Sequence, residues 1–263
     1  MPISKLPEPL KKVVRPLYYF LANIRLSIHH FLWGKNVTDY HKIPVIINNF
    51  NRLTSLTKLI KWLETRGYYN IHIIDNASTF PPLLAYYDHC PYRVHRLREN
   101  MGFLALWKSP VHKLFKKQYY VYTDSDVVPV DECPEDFMRV FFKKLNADPA
   151  TLKVGFSLKI DDLPDHYELK SQVLAVEETY YYHKESDGFY KANIDTTFAL
   201  YKPGAKGGAN LYRKMYRSAY PYQARHLPWY VDSSNIDKEE LYYMNSVQRP
   251  THWSSLSKKT ASN

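Results

Sequence analysis

From residue 43 onward, unbroken apolar runs alternate with stretches of helical periodicity. Ile43 to Asn48 reads as a buried strand, and the segment after Asn49-Phe50-Asn51-Arg52 places Leu53, Leu56, Leu59, Ile60 and Leu63 on one helical face that Gly67 closes. Ile71 to Asp75 is a second strand. It runs through Asn76-Ala77-Ser78-Thr79 into a helix opened by Pro81-Pro82 and lasting to Tyr86-Tyr87. Tyr92 to Leu97 predicts a third strand, Arg98 to Phe103 a loop, and about Leu104 to Lys116 one helix. A fourth apolar run from Tyr119 delivers Asp124-Ser125-Asp126 into Val127-Val128-Pro129. Strands and helices alternating at this spacing predict βαβ units and a mostly parallel α/β sheet.

The Asp124-Ser125-Asp126 stretch carries the most specific chemistry. Two carboxylates one residue apart at a strand end offer hard oxygen donors at the edge where open α/β sheets bind ligands. Together with diphosphate oxygens they suit Mg²⁺ or Mn²⁺; the same three residues also suit an ordinary turn.

Four segments in order, each at a strand end or opening a helix, give the chain a resemblance to a known family: Asn48 to Arg52, Ile74 to Ser78, Asn100 to Phe103, and Asp124 to Asp126. Across roughly residues 43 to 232 it resembles a glycosyltransferase of the GT-A fold, most similar to glycosyltransferase family 2. The resemblance implies that Asn48, Asn49, Asn51, Arg52, Asp75, Asn76, Asn100, Gly102, Asp124 and Ser125 face the nucleotide of an activated sugar, with uridine the expected base. Asp124 and Asp126 then hold the metal on the diphosphate. Individual residues keep a second reading. Asp75 can accept from a base or ribose or close an Asx-turn, Arg52 can meet phosphate or remain a solvated first-turn cation, and Gly102 can admit a nucleotide or serve a loop with positive φ.

The C-terminal half must supply a base. Asn193 to Tyr201 reads as a strand with Asp195 near its start, in the region where inverting members of the family keep a catalytic carboxylate. Asp195 is the candidate base; the family usually shows an acidic pair here, and this chain has Ile194 before it. Asp161-Asp162, after the strand-like run Lys153 to Ile160, is the rival pair. The resemblance also makes His226 a further metal ligand, with Arg225 placed for the diphosphate and Trp229 or Tyr230 for stacking on a sugar face.

The net charge of +10, from 36 Lys and Arg against 26 Asp and Glu, calls for an anionic partner. Part of it lies in a segment, read here as residues 1–40, where Leu17, Phe20, Leu21, Ile24, Ile28, Phe31 and Leu32 share a face of a helix starting at Pro16. Arg15, Arg25, His29 and His30 interrupt it, so it suits an anionic leaflet or its own domain rather than a membrane span. Cys90 and Cys133 form no metal or disulfide pattern and fit a reducing compartment, so the expected place is the cytoplasm, with peripheral membrane contact. Residues 41–253 are expected to form one domain, with a nucleotide half to about 130 and an acceptor half after it, and 254–263 a disordered tail. The predicted partners are a nucleotide-sugar donor and a glycan or lipid-linked glycan acceptor, with no nucleic acid. Two alternatives stay open. A nucleotidyltransferase would be expected to carry a Gly-rich loop after its first strand, and a non-catalytic glycan- or nucleic-acid-binding module has no need for Asp-x-Asp.

Overall fold

The computed structural model describes residues 7–34, 37–194, 197–207 and 214–247. It is an α/β protein built on a mixed, largely parallel eight-stranded sheet flanked by helices, with a small second sheet and a long N-terminal helix. The expected tail from residue 254 lies outside the described residues.

Four strands run parallel at one side of the main sheet: β1 Val45–Asn49, β2 Ile71–Asp75, β3 Arg93–Arg96 and β4 Tyr120–Asp124, in the order β3-β2-β1-β4. Every residue of β1 is buried, as expected for a parallel strand covered on both faces. Next to β4 the sheet continues as β9 Ala199–Tyr201, β6 Thr151–Gly155, β10 Lys214–Arg217 and β8 Tyr190–Lys191. β9 is antiparallel to both β4 and β6, and among its described residues the predicted strand from Asn193 contributes its last three to the ladder. A second sheet, in the order β5-β11-β7, joins β5 Val127–Pro129, β7 Ser157–Leu158 and β11 Gln223–His226.

The two faces carry separate cores. On one, α2 Thr54–Glu64, α3 Pro81–His89, α6 Phe137–Ala147 and α7 Lys170–Glu177 pack Leu56, Leu63, Leu83, Phe137, Phe141 and Val173 in one core with Val45, Ile47 and Val121. On the other, α4 Ala105–Lys108 and α5 His112–Phe115 bring Ala105, Leu106 and Phe115 onto Ile46, Ile74 and Tyr120. The single helix expected over 104–116 is therefore split. Ser109 precedes Pro110, and the proline ring forces it to an extended ψ of 163°, ending α4.

The N-terminal helix, α1 Glu8–Trp33, begins eight residues before the predicted Pro16, with Pro9 in its first turn and Pro16 inside it. Leu26 is its one buried residue, and His30 Nε2 lies 2.8 Å from the Tyr119 hydroxyl and 3.0 Å from Asn146 Oδ1. The predicted apolar face forms, and it points away from the domain: Leu17 is 58% exposed and Phe31 89%. No helix among the described residues is long and apolar enough to cross a membrane.

Candidate functional site

Strand order changes direction between β1 and β4, and in open parallel sheets the crevice beyond the carboxyl ends opens at such a point. Asn48 and Asp124 face each other there in register, and Asn48 Nδ2 donates to Asp124 Oδ1 at 3.0 Å. The Ser125 N–H donates to the Asn48 carbonyl at 3.0 Å. Asn49 ties the same turn to α3: its Oδ1 accepts from Ser125 Oγ at 2.6 Å, and its Nδ2 donates to the Tyr87 hydroxyl at 2.8 Å.

Asp126 lies one step further, where the second sheet closes on the first. Register pairs His226 with Val127, and this antiparallel contact brings the imidazole Nε2 to 3.7 Å from Asp126 Oδ2. The indole of Trp229 meets the His226 ring edge-on at 4.8 Å. Arg52 Nε approaches Asp126 Oδ2 from the other side at 3.4 Å. Asp126 Oδ1 and Asn48 Oδ1 are buried with no hydrogen-bond partner among the described residues, an arrangement that costs free energy unless water or an ion completes it. A carboxylate and an imidazole form a two-ligand corner. Among the described residues no group of three or more His, Cys, Asp and Glu side chains gathers to hold a metal, so phosphate oxygens and water would have to complete a coordination sphere here.

The loops after β1 and β2 are locked together. Asn51 adopts φ 53° and Ala77 φ 63°, the left-handed region that L side chains rarely enter. Asn51 Oδ1 accepts from the Thr79 and Phe80 N–H groups at 2.7 and 3.0 Å, and the Asn51 N–H donates to Ser78 Oγ at 3.0 Å. Asp75 receives the Ser78 N–H at 3.0 Å, the Asx-turn reading; burial raises its pKa despite the bonds from Ser78. Asn76 accepts from the Met101 N–H at 2.8 Å and donates to the Gly102 carbonyl at 3.1 Å, fixing the loop that Asn100 tightens by accepting the Gly102 N–H. Gly102 has φ 67°, the loop reading with positive φ, and a Cβ there would meet nothing within 4 Å.

Arg52 is not a solvated cation. Its guanidinium forms a two-pronged pair with Glu240, with Nη2 to Oε1 at 3.0 Å, and lies 3.8 Å above the Tyr243 ring. Burial opposes its charge, but Asp126 and Glu240 outweigh burial and raise its pKa. Glu240 belongs to a helix that the sequence pattern did not single out, α8 Lys238–Ser246. The same helix places Glu239 at the N-terminus of α2, where it accepts from the Leu53 and Thr54 N–H groups at 2.9 and 3.0 Å. Ser246 Oγ accepts from Asn51 Nδ2 at 2.8 Å, and the Tyr242 hydroxyl donates to the Thr79 carbonyl at 3.0 Å. Two carboxylates therefore sit where an anionic ligand would: on a buried arginine and on a helix N-terminus.

No family model matches this chain, and no curated protein matches it.

The C-terminal candidates divide. Asp162 Oδ2 pairs with Arg225 Nη2 at 2.6 Å, and Oδ1 accepts from the Tyr230 hydroxyl at 2.5 Å. Burial opposes ionisation, but those bonds prevail and lower the Asp162 pKa, which makes a poor base. Asp161 pairs with Lys159 at 2.6 Å with 74% of its side chain exposed. Arg225 and Tyr230 are thus committed to Asp162. Trp229 is 2% exposed in the main core, so it braces His226 and offers no open face for stacking. Asp195 lies outside the described residues. After it, the described residues Thr197 and Phe198 lead into β9, whose antiparallel pairing with β4 puts the start of β9 toward the Asp124 end of β4. Before it, the Asn193 carbonyl accepts from Arg217 Nε at 2.7 Å, and Arg217 pairs with Glu177 at 2.6 Å.

Of the residues that sequence reasoning missed, Glu239 and Glu240 matter most. One signal existed: Asp237 followed three residues later by Glu240 is a capping-box pattern, and Asp237 does cap α8 by accepting the Glu240 N–H at 2.8 Å. The Glu240 side chain goes to Arg52 instead of turning back on its own helix. A hollow of about 330 Å³ between Trp33, Ile43, Pro44 and Tyr119 lies at the opposite, amino-terminal edge of β1 and β4, away from this chemistry.

Proposed function

We propose that this protein is a glycosyltransferase of the GT-A type, similar to glycosyltransferase family 2. It would move a sugar from a nucleoside diphosphate, probed first as the uridine form, to a hydroxyl of a glycan or lipid-linked glycan. The observation that carries this reading is the meeting of Asp126, His226 and Arg52 at the β1–β4 crevice, with Asp124 on the adjoining strand end. A buried Asp126 oxygen without a partner and an imidazole beside it suit Mn²⁺ or Mg²⁺. Asp126 and His226 would hold the cation, with Asp124 beside them. When bound, it neutralises diphosphate charge and stabilises the leaving group.

The remaining work falls to the chain's own groups. Asn48, Asn49 and Ser125 hold the Asp124 turn in one geometry, and Asn51, Asp75, Asn76 and Gly102 shape the wall against which a base and ribose would lie. A diphosphate reaching Arg52 must displace Glu240, exchanging one charge-assisted pair for another. Asp195 is the proposed base. It would take the proton of the acceptor hydroxyl as the oxygen bonds to the anomeric carbon and the bond to the diphosphate breaks. The engagement of Asp162 by Arg225 and Tyr230, and of Asp161 by Lys159, favours Asp195 over the Asp161-Asp162 pair.

Thermal melting with nucleoside diphosphates and nucleotide sugars, with and without Mn²⁺, tests the reading. Ligand at about 100 times its dissociation constant adds about 2.7 kcal/mol. Metal-dependent stabilisation by one nucleotide, lost in Asp126→Asn, is the expected result. A folded protein that answers no nucleotide would put the non-catalytic binding module first. Asp195→Asn should then bind donor normally and turn over slowly; near-normal turnover would remove Asp195 as the base.

A further inference from the structure

We propose that α1 is an interfacial helix that lies flat on an anionic lipid surface, its apolar stripe among the acyl chains and its cationic border on the headgroups. The stripe is defined by Val13, Leu17, Phe20, Leu21, Ile28 and Phe31, which share one helical face and are each more than half exposed. It runs along a helix of 26 residues, about 39 Å at 1.5 Å per residue. No charged side chain interrupts it, and a contiguous exposed apolar surface of this length marks an interaction site. The opposite side of the helix is the one that docks, through Leu26 and the His30 contacts with Tyr119 and Asn146. The usual burial of an amphipathic helix is inverted.

Charge selects the occupant. Arg25 stands at the border of the stripe, and Lys116 and Lys206 join it around His29, whose pKa is lowered by burial first and then by these three cations. Lys117 Nζ lies 5.5 Å from the centre of the Trp33 ring. Within the helix Lys11, Lys12, Arg15 and Arg25 face one acid, Glu8, which Lys11 already pairs at 2.8 Å. Arg25 is the helix cation at the stripe's edge, so two copies joined stripe to stripe would bring their Arg25 borders together, whereas an anionic leaflet meets apolar stripe and cationic border at once.

Flotation of the full chain with phosphatidylcholine vesicles, with and without phosphatidylglycerol, tests this. Binding should require phosphatidylglycerol and weaken as salt is raised. Leu21→Glu and Phe31→Glu, both on exposed positions, should abolish it while leaving the melting curve in place. Arg25→Gln should lower partition about fivefold, the equivalent of about 1 kcal/mol per basic residue near the surface. Undiminished flotation of Leu21→Glu and Phe31→Glu would overturn the proposal. So would equal binding to pure phosphatidylcholine, or a dimer dispersed by Phe31→Glu in a protein that binds no vesicle.

Discussion

The carboxyl edge of the sheet and the outer face of α1 break the same rule in opposite directions. At the edge, Asn49, Asn51, Arg52, Asp75, Asn76 and Ser125 are buried polar residues; on α1, leucines, isoleucines and phenylalanines stand in solvent. Burying polar groups is tolerable only if they are bonded, and here they bond largely to one another, across loops far apart in the chain. Exposing apolar groups is tolerable only if something covers them. The edge is a polar network bonded across distant loops, and the stripe is an apolar face that no described residue covers, so substitutions in the two regions should fail differently.

The largest contrast should come from Arg217→Met set against Phe31→Glu. Arg217 is 2% exposed and paired with Glu177, and it also holds the Asn193 carbonyl two residues before Asp195. Leaving Glu177 buried and unpaired should cost about 3–5 kcal/mol in denaturant unfolding. Phe31→Glu alters no buried contact and should move stability by less than about 0.5 kcal/mol. Equal costs would mean that the α1 face is part of the fold rather than a surface for something else.

Glu240→Gln sharpens the picture of the edge itself. Losing the charge on the Arg52 partner should lower stability by about 2 kcal/mol. If α8 holds the place of a diphosphate, the same variant should bind nucleoside diphosphate more tightly, as isothermal titration would read. A fall in both stability and affinity would make Glu240 a support for Arg52 and not its competitor.

How much of this was legible in the sequence follows from range. β1, α2, β2, α3 and β4 were readable because each is a local pattern of apolar period closed by its own punctuation. The Asp124 to Asp126 turn was placed because the apolar run before it ends at Asp124, where β4 ends. The break at Ser109-Pro110 was locally encoded and passed over in favour of the helical run around it. By contrast, the pairing of β5 with β11, which carries His226 to Asp126, joins residues about a hundred positions apart, and no local pattern reports such a contact. The same holds for Arg52 and Glu240, 188 positions apart. Pro16 misled because proline opens helices more often than it sits within them; Pro9 had already filled that role.

Acid should act on neither of these regions but on the α5 side of the sheet. Burial first, then His95 and Arg93, push the His72 pKa down to about 4, and burial with Lys206 does the same to His112. Both rings lie on the α5 side of the sheet, where His72 packs edge-on against Phe115 at 4.8 Å. Between the ordinary value of 6.5 and about 4 the unfolded chain binds protons that the folded chain refuses. Stability is therefore greatest above pH 6.5 and falls as pH drops toward 4, by about 2 kcal/mol for the pair once the solvent contact of both rings is allowed for. His72→Phe should flatten that slope in pH-dependent unfolding; an unchanged slope would place the acid sensitivity elsewhere.

The smallest expected effect asks whether strain at the edge is stored for binding. Ala77 holds φ 63° between Asn76 and Ser78, and Gly102 holds φ 67° where the Asn76 side chain bonds its carbonyl. An L side chain in that region costs about 1–2 kcal/mol, while glycine gives back part of the difference through the entropy of the unfolded chain. Gly102→Ala should therefore lower stability by about 1 kcal/mol, and Ala77→Gly should raise it by somewhat less. Nothing lies within 4 Å of a Cβ at Gly102, so its cost is conformational and not a clash. If the left-handed turn at Ala77 serves only the fold, relaxing it with glycine should leave nucleotide affinity untouched. If the turn aims Asp75 and Asn76 at a ligand, Ala77→Gly should melt higher and bind more weakly, the opposite signs identifying strain retained at this edge for a purpose other than stability.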